Sequence, residues 1–201
     1  MGIGLGKSKY CKGVQCPNVP AEKERPIMIN PYIIHILGRR ALNGDVIDMP
    51  GQSAAIICKD WDNEYSDAAG LTETLFLYFS DVDSVDSPGA FRMDHAERII
   101  RFLRGLPIAI TDLYICCAAG ESRSPAIAAA ILRGSGRSDR DVWMNPFYHP
   151  NILVYKTLCK AFGIENSTQD IEKRILLNKD AFKAAQDNHG KSKYERWQIL
   201  E

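Results

Sequence analysis

The chain has 201 residues, 45% of them apolar and 25% charged, enough for one ordinary domain that buries its core without covalent staples. Lys+Arg and Asp+Glu stand at 25 each, so no overall field draws the molecule to nucleic acid or to a membrane surface, and an anionic ligand has to be attracted locally. No apolar run approaches the roughly 18 residues of a membrane span, and no hydrophobic stretch follows the early lysines, so neither a span nor a secretory leader is read and the expected location is the cytoplasm.

Residues 1–27 mix Gly, Lys, Pro and Cys without periodicity and read as a tail or strap. Cys11 and Cys16 have the spacing of half a zinc site, but no second Cys or His pair follows at a comparable spacing, so no metal and no other cofactor is expected. The other cysteines, Cys58, Cys116, Cys117 and Cys159, are irregularly spaced and read as reduced thiols.

Four short runs of branched and aromatic residues predict buried strands: 32–37, 54–58, 75–79 and 113–117. Between the third and fourth, Ala96, Ile99, Ile100 and Leu103 recur at helical spacing, with Asp94, Glu97, Arg98 and Arg101 on the other side. The fourth strand runs into a glycine-containing turn and then a helix, for which Ser124 suits the N-cap, Pro125 the first helical position and Gly134 the stop. That helix is apolar all round and is expected to be buried. Two more helices are predicted, over 151–162 and 168–187; the second opens on the relaxed capping box Ser167-Thr168-Gln169-Asp170 and is stopped by Asn188 and Gly190. Strands alternating with helices predict a single-domain α/β fold with a largely parallel sheet flanked by helices. Residues 28–164 would form the catalytic domain and 165–201 a C-terminal helical extension. Ligands of such sheets sit beyond the carboxyl ends of the strands, where Cys117 is delivered.

The segment Cys117-Ala118-Ala119-Gly120-Glu121-Ser122-Arg123-Ser124 carries the chemistry. A loop of this length between a strand and a helix turns its backbone N–H groups inward as a nest for a phosphate-sized anion. The residues from Ala118 to Ser122 would supply those groups, and Gly120 permits a backbone angle that a side chain penalises. Arg123 holds two phosphate oxygens through its planar guanidinium, which a lysine does not do. Inward amides and the helix end favour the thiolate of Cys117, the nucleophile. A hydrogen bond from Ser124 would stabilise that sulfur as a leaving group.

This segment resembles the signature loop of the cysteine-dependent protein tyrosine and dual-specificity phosphatases: histidine, cysteine, five residues, arginine, then serine or threonine. Cys116 stands where that pattern has histidine. The wider segment from about 32 to 162 resembles a bacterial branch of predicted tyrosine phosphatases, through Phe79-Ser80-Asp81 and through Asn145-Pro146-Phe147-Tyr148-His149-Pro150-Asn151 followed by Val154-Tyr155. The resemblance implies a phosphatase-like fold and hydrolysis of a phosphomonoester, most simply phosphotyrosine on a protein, through a phosphocysteine intermediate. Phosphate, vanadate or tungstate would be ligands of the loop. It also implies an aspartate as general acid; Asp81 matches the motif, Asp83 is the alternative, and Asp86 lies in the same loop.

Two other functions fit parts of this pattern. A rhodanese-type sulfurtransferase also places a cysteine at the start of an anion-binding loop, and a non-catalytic phosphate-binding module would keep the cradle without turnover. A reversible disulfide between Cys117 and Cys116 or Cys58 is a further reading of the thiols. His149 reads as a structural loop residue, and Ile171, Ile175, Leu176 and Phe182 as the docking side of the last helix.

Overall fold

In the computed structural model, which describes residues 31–42, 52–60, 71–187 and 199–200, the four apolar runs pair as parallel strands. They are β1 (Ile33–Gly38), β2 (Ser53–Lys59), β3 (Glu73–Tyr78) and β4 (Asp112–Cys117), in the spatial order β3-β2-β4-β1. A short strand, β5 (Ile199–Leu200), adds antiparallel to the outer edge of β1. Strands buried on both faces are near-continuous apolar runs, and Ala54, Ala55, Ile56, Ile57 and Cys58 of β2 are fully buried. Side chains alternate across the sheet. Ile34, Ile36, Ile56, Leu113, Ile115 and Cys117 face the main core, while Leu37, Ile57, Tyr114 and Cys116 join a smaller cluster on the other face with Ala41 of α1 (Arg39–Leu42).

The main core is closed by α2 (Met93–Gly105), α3 (Arg123–Gly134) and α5 (Ile152–Ala161). On α2 the buried residues are Ala96, Ile99, Ile100 and Leu103, the stripe read from the sequence. Helix α3 is buried from Arg123 to Leu132. Its start corrects the sequence reading: the N-cap is Ser122, not Ser124, so Arg123 is the first helical residue and Ser124 lies inside the first turn. Pro125 is still tolerated, because the first helical N–H groups have no partner within the helix in any case. Two short helices, α1 and α4 (Arg140–Met144), are too brief to carry a periodic signal and were not foreseen.

The last helix, α6 (Thr168–Asp187), opens as its capping box predicts: Ser167 Oγ accepts from the Asp170 N–H at 3.1 Å. The residues expected to stop it lie outside the described residues, as do Cys11, Cys16 and the whole of 1–27. Ile171 is buried and Ile175 packs on the core, while Leu176 and Phe182 are exposed. The helix is tied down by polar bonds. Arg174 donates from Nε to Asp139 Oδ2 (2.8 Å) and from Nη2 to Asp139 Oδ1 (3.1 Å), and the Oδ2 atom also accepts from Tyr155 Oη (2.6 Å) and Trp143 Nε1 (3.1 Å).

Burial alone would raise the Asp139 carboxyl, but the hydrogen bonds from Arg174 and Tyr155 outweigh it and hold the group below the usual carboxylate range. A carboxylate depressed in the folded state contributes stability above its unfolded value of about 3.9, and that contribution is lost as pH falls through the folded value. Removing one partner of a buried pair strands the other. Asp139→Ala is therefore expected to lower the unfolding free energy by about 3 kcal/mol in urea titrations at neutral pH, and to flatten the acid limb of the stability curve. A variant as stable as the parent chain at neutral pH would contradict this account of how α6 is held.

Candidate active site

Cys117 is the last residue of β4, and its sulfur meets two polar groups of the loop that follows. The Gly120 N–H donates to Sγ at 3.2 Å, and Ser124 Oγ lies 3.1 Å from it. The sulfur therefore sits at the mouth of the turn while its residue is only 2% exposed.

The loop's carbonyls are held outward. Arg39 N–H donates to Ala118 O (3.1 Å), His149 N–H to Glu121 O (2.7 Å) and Asn151 N–H to Ser122 O (3.3 Å). The carbonyl of Ala119 points at Gly38, where an added Cβ would lie 2.6 Å from its oxygen. In a trans peptide the C=O and the following N–H point in opposite directions. Four outward carbonyls thus turn the N–H groups of Ala119, Gly120, Ser122 and Arg123 toward the interior of the loop, a concave arrangement of the kind called a nest. Gly120 has φ +81°, and a Cβ there would stand 2.6 Å from Gly38 N. Both glycines are needed because the loop passes against the end of β1.

Arg123 is 3% exposed and paired from two neighbouring strands. Its Nη1 donates to Asp60 Oδ1 at 2.7 Å and to Phe79 O at 3.0 Å, and its Nη2 donates to Asp60 Oδ2 at 3.0 Å. Burial alone would make the guanidinium easier to deprotonate, but the Asp60 hydrogen bonds and the nearby Cys117 sulfur reverse that, so the cation is held more firmly than usual. A guanidinium has five N–H donors, and three are now used. The two that remain, Nε–H and the second hydrogen of Nη2, lie side by side along one edge. Nε is buried without a hydrogen-bond partner among the described residues.

Among the loop's aspartates it is Asp81 that reaches this edge. Its Oδ1 accepts from Ser122 Oγ and from Asn151 Nδ2, each at 2.8 Å, while its Oδ2 lies 3.9 Å from Arg123 Nε. Asp83 and Asp86 are exposed further along. Within the loop Ala118, Ala119 and Glu121 are exposed and Ser122 half-buried.

Three contributors escaped the sequence reading. Asp60 follows Lys59 at the carboxyl end of β2, and only its position beyond a neighbouring strand could have singled it out. Gly38 closes β1 with no motif of its own. Asn151 closes the motif from Asn145 to Asn151, where nothing local marks its side chain for a role. The remaining thiols are placed by strand alternation. Cys116 faces the opposite side of the sheet, and burial pushes its thiol up to about 12. Cys58 shares the core face with Cys117, and burial, reinforced by the charge at Cys117, pushes its thiol well up. Neither competes as a thiolate at neutral pH. The His149 ring packs edge-on against Phe182 of α6, 5.6 Å between centroids.

No protein-family model and no curated protein matches the chain. Among solved structures the chain is similar to Tk-PTP in its active form, with 15% identity and a TM-score of 0.36 over 73% of this chain and 92% of that one. It is likewise similar to PTPMT1 in complex with PI(5)P, with 16% identity and a TM-score of 0.33 over 73% of this chain and 86% of that one.

The contact between Gly120 and Gly38 is backbone on both sides, so an added methyl has to displace the loop. A non-glycine residue at such a positive φ costs about 1–3 kcal/mol, and a misplacement of about 1 Å costs on the order of 10²-fold in a positioned site. Gly120→Ala is expected to lower the melting temperature and to weaken tungstate affinity at least tenfold by calorimetric titration. Unchanged affinity would show that the amides of this loop do not form the anion site.

Proposed function

We propose that the chain is a cysteine-dependent phosphomonoester hydrolase acting on phosphotyrosine, or with dual specificity, in a phosphoprotein. The observation that carries this reading is the pairing of Arg123. Asp60 and Phe79 O take up the end of the guanidinium and one flank, which leaves a two-donor edge that matches two oxygens of a phosphoryl group. That edge adjoins a loop whose first residue is a cysteine with its sulfur among inward N–H groups.

In this mechanism the Cys117 thiolate attacks phosphorus as the bond to the ester oxygen breaks. Asp81 gives its proton to the departing oxygen. The loop amides and Arg123 carry the charge of the three equatorial oxygens through the transition state. Water then attacks the phosphocysteine, Asp81 takes a proton from it, and the sulfur leaves as a thiolate stabilised by Ser124. Inorganic phosphate is released and the starting protonation state is restored. Every charge the phosphoryl group needs comes from the chain itself, so the mechanism calls on no metal or other cofactor.

Cys117→Ser should retain tungstate or vanadate binding and lose phosphatase activity by several orders of magnitude, because only the sulfur forms the covalent intermediate. Activity near that of the parent enzyme would sink the mechanism. A thiosulfate assay run in parallel separates this reading from a sulfurtransferase. Binding without turnover in the parent chain would identify a phosphate-binding module instead.

For the acid, Asp81→Asn should slow phenyl phosphate by roughly 10² to 10⁴ and para-nitrophenyl phosphate far less, since an activated phenolate departs without a proton. If Asp83→Asn shows that selectivity and Asp81→Asn does not, Asp83 is the acid. Equal slowing of both esters in both variants would exclude the two residues together.

A further inference from the structure

Every polar group of Asn151 is engaged, and most of them outside its own helix. Its backbone N–H donates to Ser122 O at 3.3 Å, and its C=O accepts the first bond of α5 from the Tyr155 N–H at 3.0 Å. Its Oδ1 caps α5 by accepting from the Val154 N–H at 3.0 Å. The two hydrogens of Nδ2 go to Asp81 Oδ1 (2.8 Å) and Val82 O (3.1 Å). The residue is 4% exposed, so water does not substitute readily for these partners.

A cap alone does not need asparagine. Serine, threonine or aspartate supplies the oxygen equally well, but among the residues that cap well only asparagine brings two N–H donors on the same short stem. Those donors are spent on the segment that carries Asp81. One of them, together with Ser122 Oγ, fills Oδ1, so any proton Asp81 carries belongs on Oδ2, the oxygen on the Arg123 side; the other holds the neighbouring Val82 carbonyl. The same residue holds the anion loop through Ser122 O. It therefore fixes the spacing between the loop that would bind phosphate and the carboxyl that would protonate the leaving oxygen.

We infer that Asn151 is a positioning residue for the reaction: it turns the Asp81 carboxyl so that Oδ1 is held against Ser122 of the anion loop and Oδ2 faces the Arg123 edge. The inference rests on the reading of Asp81 as the general acid, and the side-chain amide acts only on the segment of Asp81 and Val82, since the bond to Ser122 O comes from the backbone N–H that any replacement keeps. A geometric fault in proton delivery is felt where the leaving oxygen needs the proton most. A fault in folding slows every substrate alike.

The test is a double-mutant cycle with Asp81→Asn, using phenyl phosphate as the poor leaving group and para-nitrophenyl phosphate as the activated one. Asn151→Ser keeps a capping oxygen and removes both donors. Its kcat for phenyl phosphate should fall about tenfold, the size of one or two lost hydrogen bonds, with KM changed by less than about threefold. Its loss on para-nitrophenyl phosphate should be distinctly smaller. Placed on Asp81→Asn, it should add almost nothing on phenyl phosphate.

Melting temperatures taken alongside separate loss of fold from loss of positioning, and Asn151→Thr, which also caps and fills more of the space, serves if the serine variant does not fold. Equal slowing of the two esters, or a loss that adds in full to that of Asp81→Asn, overturns the inference and leaves the phosphatase reading standing, provided that Cys117→Ser is inactive. A parent chain that binds tungstate and hydrolyses neither ester overturns both.

Discussion

A guanidinium that is 3% exposed must be paired on nearly every side, because an unpaired buried charge costs several kcal/mol. At the first residue of α3 no single neighbour can do this for Arg123. Its partners come from the ends of β2 and β3, Asp60 by two bonds and Phe79 through its carbonyl. The need to satisfy that charge draws three consecutive strand ends of the sheet toward one point. It also fixes which edge of the guanidinium is left, the edge that lies beside Asp81; in the proposed mechanism this is where the phosphoryl group is met.

The rest of the site follows from the same economy applied to the backbone. The loop after β4 gives its carbonyls to Arg39 at the start of α1 and to His149 and Asn151 in the segment before α5, and presses Ala119 O toward the end of β1. Its N–H groups have only the interior left to face. A nest of this kind is held from outside, so its stability depends on segments distant in sequence. Asn178 of α6 illustrates this: its Nδ2 donates to Tyr148 O at 2.7 Å and to Trp143 O at 3.2 Å, and so steadies the segment from which His149 reaches Glu121.

Features written in local pattern were legible in the sequence. The four parallel strands, the stripe on α2 and the buried α3 follow from hydrophobic periodicity, and the loop was found because its chemistry requires a cysteine and an arginine at a fixed separation between a strand and a helix. What was missed was not local. Asp60 is 63 residues from Arg123 and, taken alone, is one aspartate after a strand. Gly38 matters only because the loop of Gly120 passes over it. The N-cap was misplaced by two residues because Ser122 and Ser124 are equally good caps, and the choice is made by where the strand releases the chain. Asp81 was separated from Asp83 and Asp86 by fold contacts with Ser122 and Asn151, which propensity does not encode.

The proposed hydrolysis requires a covalent bond between phosphorus and the sulfur of Cys117. The most direct measurement is a rapid denaturing quench of the enzyme during turnover of a phosphotyrosine peptide, followed by mass spectrometry of the proteolytic fragments. A phosphoryl group is predicted on the fragment containing Cys117, and in Asp81→Asn it should accumulate further with para-nitrophenyl phosphate, whose phenolate departs without a proton while water attack is slowed. Steady turnover with no phosphorylated Cys117 fragment, or with the phosphoryl group on another residue, would contradict the proposed hydrolysis.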